Sequence, residues 1–215
     1  MYLYLIRHGE SHINIPSQEI RSGDELDLGL TGKGQQQALA VAGWMKQQAP
    51  HINALYTSTM KRAQETAQFL ADAYQCQLVF DDRLREIGNN RIDHSPLPDH
   101  ELPNEYSSLS PYRFPCSPVA PTVEQGESFM HYRVRIGMFL EDMINQHQGE
   151  TIVVVGHGGT VNALADTIFN VGSYRQCDIR GYHTGVTYLQ FMGKTGWEMW
   201  RLHYLSRVDH LVDTW

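Results

Sequence analysis

The sequence predicts an α/β fold: a three-layer α/β/α sandwich with a mixed, mainly parallel central sheet. Three observations predict it. Residues 3–6 (L-Y-L-I) form an apolar run without a polar break, as in a strand covered on both faces. Residues 151–155 (T-I-V-V-V) are an uninterrupted, largely β-branched run suited to the middle of a sheet. Strand-like and helical patterns alternate between these runs, and the chain then finishes on two successive strands.

Taken in order, the first strand ends on Arg7-His8-Gly9. Two cationic residues thus emerge where open α/β sheets bind ligands, outside the carboxyl ends of the strands. Residues 23–34 read as turn chemistry. Thr31 is the N-cap expected for a helix over 35–48, with Ala38, Leu39, Ala42 and Met45 at helical spacing and Pro50 as its stop. Residues 54–57 read as a short strand. A helix follows Ser58 or Thr59 with Ala63, Ala67, Leu70 and Ala71 on one face, and 78–80 is another strand. A helix is predicted over 127–146. The 151–155 strand runs into Gly156-His157-Gly158-Gly159-Thr160 and a helix to Phe169. Residues 187–191 and 197–202 read as a hairpin joined by M-G-K-T-G.

Residues 89–126 differ in character, carrying seven of the nine prolines. Loops this long are commonly functional lids. Tyr106, Tyr112, Arg113 and Phe114 give the segment something to pack with. We read it as an ordered lid inserted into a single domain over 1–215.

At 215 residues the chain is long enough to bury a sizeable core. Its 41% hydrophobic and 19% charged content is that of an ordinary globular protein. A formal charge of −7 argues against a nucleic-acid or acidic-membrane partner. No run approaches the ~20 apolar residues of a membrane span. The N-terminus enters a strand instead of a signal sequence. Cys76, Cys116 and Cys177 are odd in number and lack metal-ligand spacing, which points to thiols in a reducing cytoplasm. The edge of the terminal hairpin leaves room for a homodimer.

The chemistry gathers at two strand ends, where His8 and His157 are each followed by glycine. The helix opening at Gly158 offers unpaired N–H groups and a positive dipole end to an anion. Arg7 adds a fork of donors matched to phosphate. An anion pocket is the minimal reading. Residues 156–161 lack the third glycine of a dinucleotide fingerprint, and G-x-x-x-x-G-K-[ST], G-x-S-x-G and H-E-x-x-H are absent. Eleven histidines could serve a metal, but no aspartates cluster beside His8 or His157. No metal and no other cofactor is expected.

Five pieces stand in one order: R-H-G-E-S-x-x-N at 7–14, L-T-x-x-G-x-x-Q-A at 30–38, Y-T-S-T-M-K-R-A-Q-E-T-A at 56–67, L-R-E-x-G at 84–88, and V-V-V-G-H-G-G at 153–159. Together they resemble the histidine phosphatase superfamily, in the branch that also contains cofactor-dependent phosphoglycerate mutases. The resemblance implies His8 as the nucleophile that attacks phosphorus. It implies Arg7, Arg62 and His157 as the clamp on the phosphoryl oxygens, assisted by Asn14 and the Gly158 N–H. Glu86 is implied as the proton donor to the leaving group. Elementary chemistry agrees: imidazole attacks in its neutral form, which neighbouring cations favour. Arginines stabilise charge on the equatorial oxygens, and a departing alkoxide needs a proton. Plainer readings stand beside these roles. Arg62 could be solvated surface, Glu86 could pair with Arg83 or Arg85, and Asn14 could be turn chemistry.

Two departures bear on the subtype. G-N-N-R-I-D follows the acid where many relatives have W-E-G. The long basic insertion of the mutases is missing, since 89–126 hold only Arg91 and Arg113 as strong cations. Y-R-F-P at 112–115, G-E-S at 126–128 and Arg135 are similar to a phosphatase-type subgroup. The expectation is hydrolysis of a small phosphorylated metabolite. Mutase-type transfer and a non-catalytic phosphate-binding protein are the alternatives. Arg21, Tyr112 and Arg113 are candidates for contacts to the organic part of the substrate, with surface decoration as the plainer reading.

Overall fold

The strands are β1 (Tyr2–Arg7), β2 (Ala54–Thr57), β3 (Leu78–Phe80), β4 (Thr151–Gly156), β5 (Val186–Lys194) and β6 (Trp197–Arg207). They lie side by side in one sheet in the order β3-β2-β4-β1-β5-β6. The computed structural model describes residues 1–15, 27–102, 119, 126–173, 179, 181–194 and 197–211. Strands β1 to β4 are parallel to their partners, with Leu3 opposite Ile152 and Ile6 opposite Val155. Strand β5 returns antiparallel to β1, setting Val186 beside Ile6, and pairs antiparallel with β6.

Alternation along the central strands supplies both cores. Leu3, Leu5, Ile152 and Val154 face α3 (Phe129–Gln146) and α4 (Gly158–Ile168), meeting Tyr132, Phe139 and Leu164. Tyr4, Ile6, Val153 and Val155 face α1 (Gly32–Gln48) and α2 (Lys61–Tyr74), meeting Val41, Met45 and Leu70. Val153, Val154 and Val155 are fully buried. Each such side chain contributes about 1.5–3 kcal/mol. The helices on both faces explain why neither strand shows a polar–apolar alternation.

Three boundaries differ from the sequence reading. Helix α1 starts at Gly32, inside the stretch expected to be turn, with Thr31 Oγ1 accepting from the Gly34 N–H at 3.0 Å. Glycine costs little in a first turn that lacks intrahelical donors. Helix α3 starts at Phe129 because Ser128, in an extended conformation, is its N-cap, with its side chain accepting from the His131 N–H. The hairpin strands are longer than expected: Met192 and Gly193 pair with Met199 and Glu198. A backbone ladder does not require the apolar alternation used to bound it.

Of the predicted lid, residues 89–102 pack against the body. Arg91 bridges to Gly126, the Glu127 N–H donates to the Asn90 carbonyl at 3.0 Å, and Leu97 and Leu102 are buried against Met60. The base of the segment is thereby closed. Tyr112 and Arg113, like Arg21, Cys116 and Cys177, lie outside the described residues. Among the described residues no helix is long and apolar enough to cross a membrane.

Candidate active site

The carboxyl ends of β2, β4 and β1 and the incoming end of β5 share one edge of the sheet. His8 follows β1 directly and continues its ladder, its N–H donating to the Gly156 carbonyl at 2.9 Å. Gly9 and Gly34 allow the next turn. A Cβ on Gly9 would stand 2.5 Å from the Gly34 carbonyl oxygen, and one on Gly34 only 1.9 Å from that of Glu10. Two backbones therefore touch just past the histidine, and α1 supports the loop that aims it.

His8 is 2% exposed. Its Nδ1 lies 2.7 Å from the Gly9 carbonyl oxygen. A carbonyl only accepts, so Nδ1 carries the hydrogen and Nε2 keeps its lone pair. Arg62, on the first turn of α2, donates from Nε to that Nε2 at 3.2 Å and is itself 2% exposed. The surface reading of Arg62 is thus excluded. Burial above all, then Arg62, His157 and Arg7, holds the His8 imidazole well below its ordinary pKa. It is neutral, with a lone pair on Nε2.

His157 is fully buried at the head of α4, its ring 5.1 Å from that of His8. Its Nε2 is 2.9 Å from Ser58 Oγ. Burial first, then Arg62, Arg135, Arg7 and Arg85, keeps this imidazole neutral too. Arg7 anchors Nη1 on the Gly181 carbonyl at 2.5 Å. A Cβ on Gly158 would stand 3.8 Å from Arg7 Nε, so the helix start and the guanidinium are neighbours.

Glu86 arrives from the loop after β3. Its Oε2 accepts from the Gly159 N–H at 3.1 Å, and its Oε1 from the Ile87 N–H at 2.9 Å and the Tyr132 hydroxyl at 3.3 Å. A Cβ on Gly159 would lie 2.0 Å from Oε1, so the third glycine of G-H-G-G makes room for this carboxylate. Arg83 pairs instead with Asp81 and Asp142, and Arg85 donates to the Leu97 carbonyl. Behind Glu86, the fully buried Arg135–Glu127 pair (2.6 and 2.7 Å) donates to the Glu86 and Arg83 carbonyls, while Glu127 accepts from the Gly88 N–H.

Of the predicted residues, the structure brings together Arg7, His8, Arg62, Glu86, His157 and Gly158. Asn14 is exposed, and its Oδ1 accepts from the Ser11 N–H and hydroxyl within a short 3₁₀ turn. Ser58, Tyr132 and His183 went unnoticed in sequence. His183 precedes β5, its ring 5.8 Å from that of His8. The signal that could have found it is a titratable residue at the start of a strand antiparallel to β1, which returns to the same sheet edge.

Comparisons with known proteins give the family and the fold. A putative phosphoserine phosphatase 2 from Hydrogenobacter thermophilus is 29% identical over 214 residues, covering 97% of this chain and 96% of that protein. A probable phosphoglycerate mutase GpmB from Shigella dysenteriae is 26% identical over 213 residues, at 97% and 95% coverage. Among solved structures, Bacillus stearothermophilus YhfR superposes with a TM-score of 0.72 at 24% identity, covering 98% of both chains. A mutant phosphoserine phosphatase from Entamoeba histolytica, solved with phosphoserine, gives 0.70 at 24% identity over 98% and 99%. The family model matches residues 3–203, nearly the whole span that carries the sheet and the pocket, and the chain belongs to the histidine phosphatase superfamily, branch 1.

Proposed function

We propose that the chain is a phosphomonoester hydrolase working through a phosphohistidine on His8, without a metal. The observation that carries the proposal is the fixed, neutral tautomer of His8, with its Nε2 lone pair beside Arg62. The Nε2 lone pair attacks phosphorus, and the bond to the leaving oxygen breaks. Glu86 gives its proton to that oxygen. The imidazolium so formed keeps its Nδ1–H on the Gly9 carbonyl, while Arg7, Arg62, His157 and the Gly158 N–H hold the phosphoryl oxygens. Water then attacks phosphorus, Glu86 takes its proton, and the P–N bond breaks to return neutral His8 and inorganic phosphate.

Small phosphorylated metabolites are the proposed substrate class, in keeping with relatives named for phosphoserine and for glucosyl-3-phosphoglycerate. The relatives named phosphoglycerate mutase favour a second reading, phosphoryl transfer that retains the phosphohistidine.

The test is hydrolysis of an aryl phosphate with EDTA present, from about pH 4.5 to about pH 8. Activity that resists EDTA and falls about 10⁴-fold or more in His8→Ala is the expected result. Activity surviving that substitution would remove His8 as nucleophile. Interconversion of phosphoglycerates that requires a bisphosphate, with little hydrolysis, would select the mutase reading.

A further inference from the structure

The geometry points to His183 as a third imidazole of the phosphate pocket, one whose Nε2 donates a hydrogen bond to the bound phosphoryl group from the Arg7 side. This rests on the phosphate-binding reading of the pocket given above. His157 and His183 flank His8, with ring centroids 5.1 and 5.8 Å from it. His183 presents a buried ring nitrogen, Nε2, without a partner among the described residues. Buried polar atoms are rarely left so in a folded protein, and an oxyanion between the rings supplies the missing acceptor.

Backbone contacts, and not the ring, hold His183 where it is. The Thr184 N–H donates to the Arg7 carbonyl at 2.9 Å, and Arg7 Nη1 donates to the Gly181 carbonyl. The Tyr182 N–H donates to Ser206 Oγ at 2.8 Å, and the Gly185 N–H to the Tyr182 carbonyl. Thr184 sits at φ +53°, a left-handed conformation that a β-branched residue adopts only under constraint. The imidazole is therefore fixed beside the nucleophile and spare for a ligand. Burial, with Arg7 and Lys33 nearby, holds its pKa down to about 3, so the ring is neutral.

The test compares His183→Leu and His183→Asn with the parent. Inorganic phosphate binding is measured by calorimetry, and kcat and KM with an aryl phosphate. The leucine variant is expected to weaken phosphate binding about tenfold or more, and asparagine, which restores an N–H donor, to recover it to within about threefold. Phosphate binding within about twofold of the parent in His183→Leu would overturn the assignment. So would equal losses in the two variants at unchanged melting temperature, which mark a purely structural ring. In the unaltered protein, the His183 side-chain ¹⁵N resonance, identified by its loss in His183→Asn, is expected to move on adding inorganic phosphate. An unmoved resonance overturns the assignment without any folding question. If the parent binds phosphate but hydrolyses nothing while His183→Leu binds it poorly, the hydrolase reading falls and the His183 contact stands. Hydrolysis by the parent with unweakened phosphate binding in His183→Leu gives the reverse.

Discussion

Arg62 and Arg135 head the largest side chains that the described fold buries completely, yet their surroundings differ in kind. Arg135 is enclosed by acceptors: both oxygens of Glu127 and two main-chain carbonyls around the Glu86 loop. Arg62 directs Nε at a histidine lone pair, and the carboxylate near it, Asp27, stands 3.6 Å away. Burial pushes the Asp27 carboxyl up from its ordinary range, partly opposed by Arg62 and Arg85. Arg135 is a brace, whereas under the proposed function Arg62 is the guanidinium that meets an arriving anion. Burial alone does not tell a structural charge from a functional one; the quality of its acceptors does.

That contrast can be broken by exchanging each arginine for methionine. Arg135→Met leaves Glu127 buried and unpaired, so stability should fall by about 3–5 kcal/mol. This corresponds to roughly 10 °C in melting temperature for a chain of this size. The double variant Arg135→Met/Glu127→Leu should regain about half of the loss in a urea titration. If it regains nothing, the main-chain bonds and not the ion pair carry the brace. Arg62→Met should do the opposite, lowering kcat/KM about 10²–10³-fold while the melting temperature moves by no more than about 4 °C. An Arg62→Met protein that unfolds like the Arg135 variant would dissolve the distinction.

A smaller effect sharpens the same contrast through protons. Burial holds His8 and His157 neutral, His183 down to about 3 and His210 to about 4, whereas unfolded histidine titrates near about 6.5. The unfolded chain therefore binds protons that the native chain refuses. This part of the stability is complete above about pH 6.5 and is lost progressively as the pH falls toward the folded values. The slope should reach about 1.4 kcal/mol per pH unit for each of His8 and His157, and less for the partly solvated His183 and His210. Melting temperatures that stay flat between about pH 7.5 and about pH 5 would mean that the cluster takes up protons while folded.

Much of this was legible in the sequence, for reasons that vary by element. The β1 and β4 runs were unambiguous because both faces of those strands are covered, so nothing polar interrupts them. Thr31 and Pro50 marked α1 because a cap and a missing N–H act locally. Arg7, His8, Arg62 and His157 could be picked out together because each stands at or shortly after a strand end within a short motif. His183 could not, because its relation to His8 exists only through the antiparallel return of β5. Glu127, in G-E-S, and Arg135 stood out only as a likeness to a phosphatase-type subgroup; their pairing behind Glu86 did not, because they meet across the start of a helix with carbonyls 49 and 52 residues away. Motifs expose contacts made by neighbours in sequence, and long-range polar contacts leave no such trace.

The bare contact between Gly34 and the Glu10 carbonyl has a consequence for register. Helix α1 meets the loop after β1 with no side chain to yield between them. The pair acts as an end stop: if β1 slid one residue forward along β4, the loop would be driven into the helix. A slip of that kind would also swap which face of the sheet Leu3 and Tyr4 serve. The spacing that positions His8 is therefore the same spacing that seats both cores.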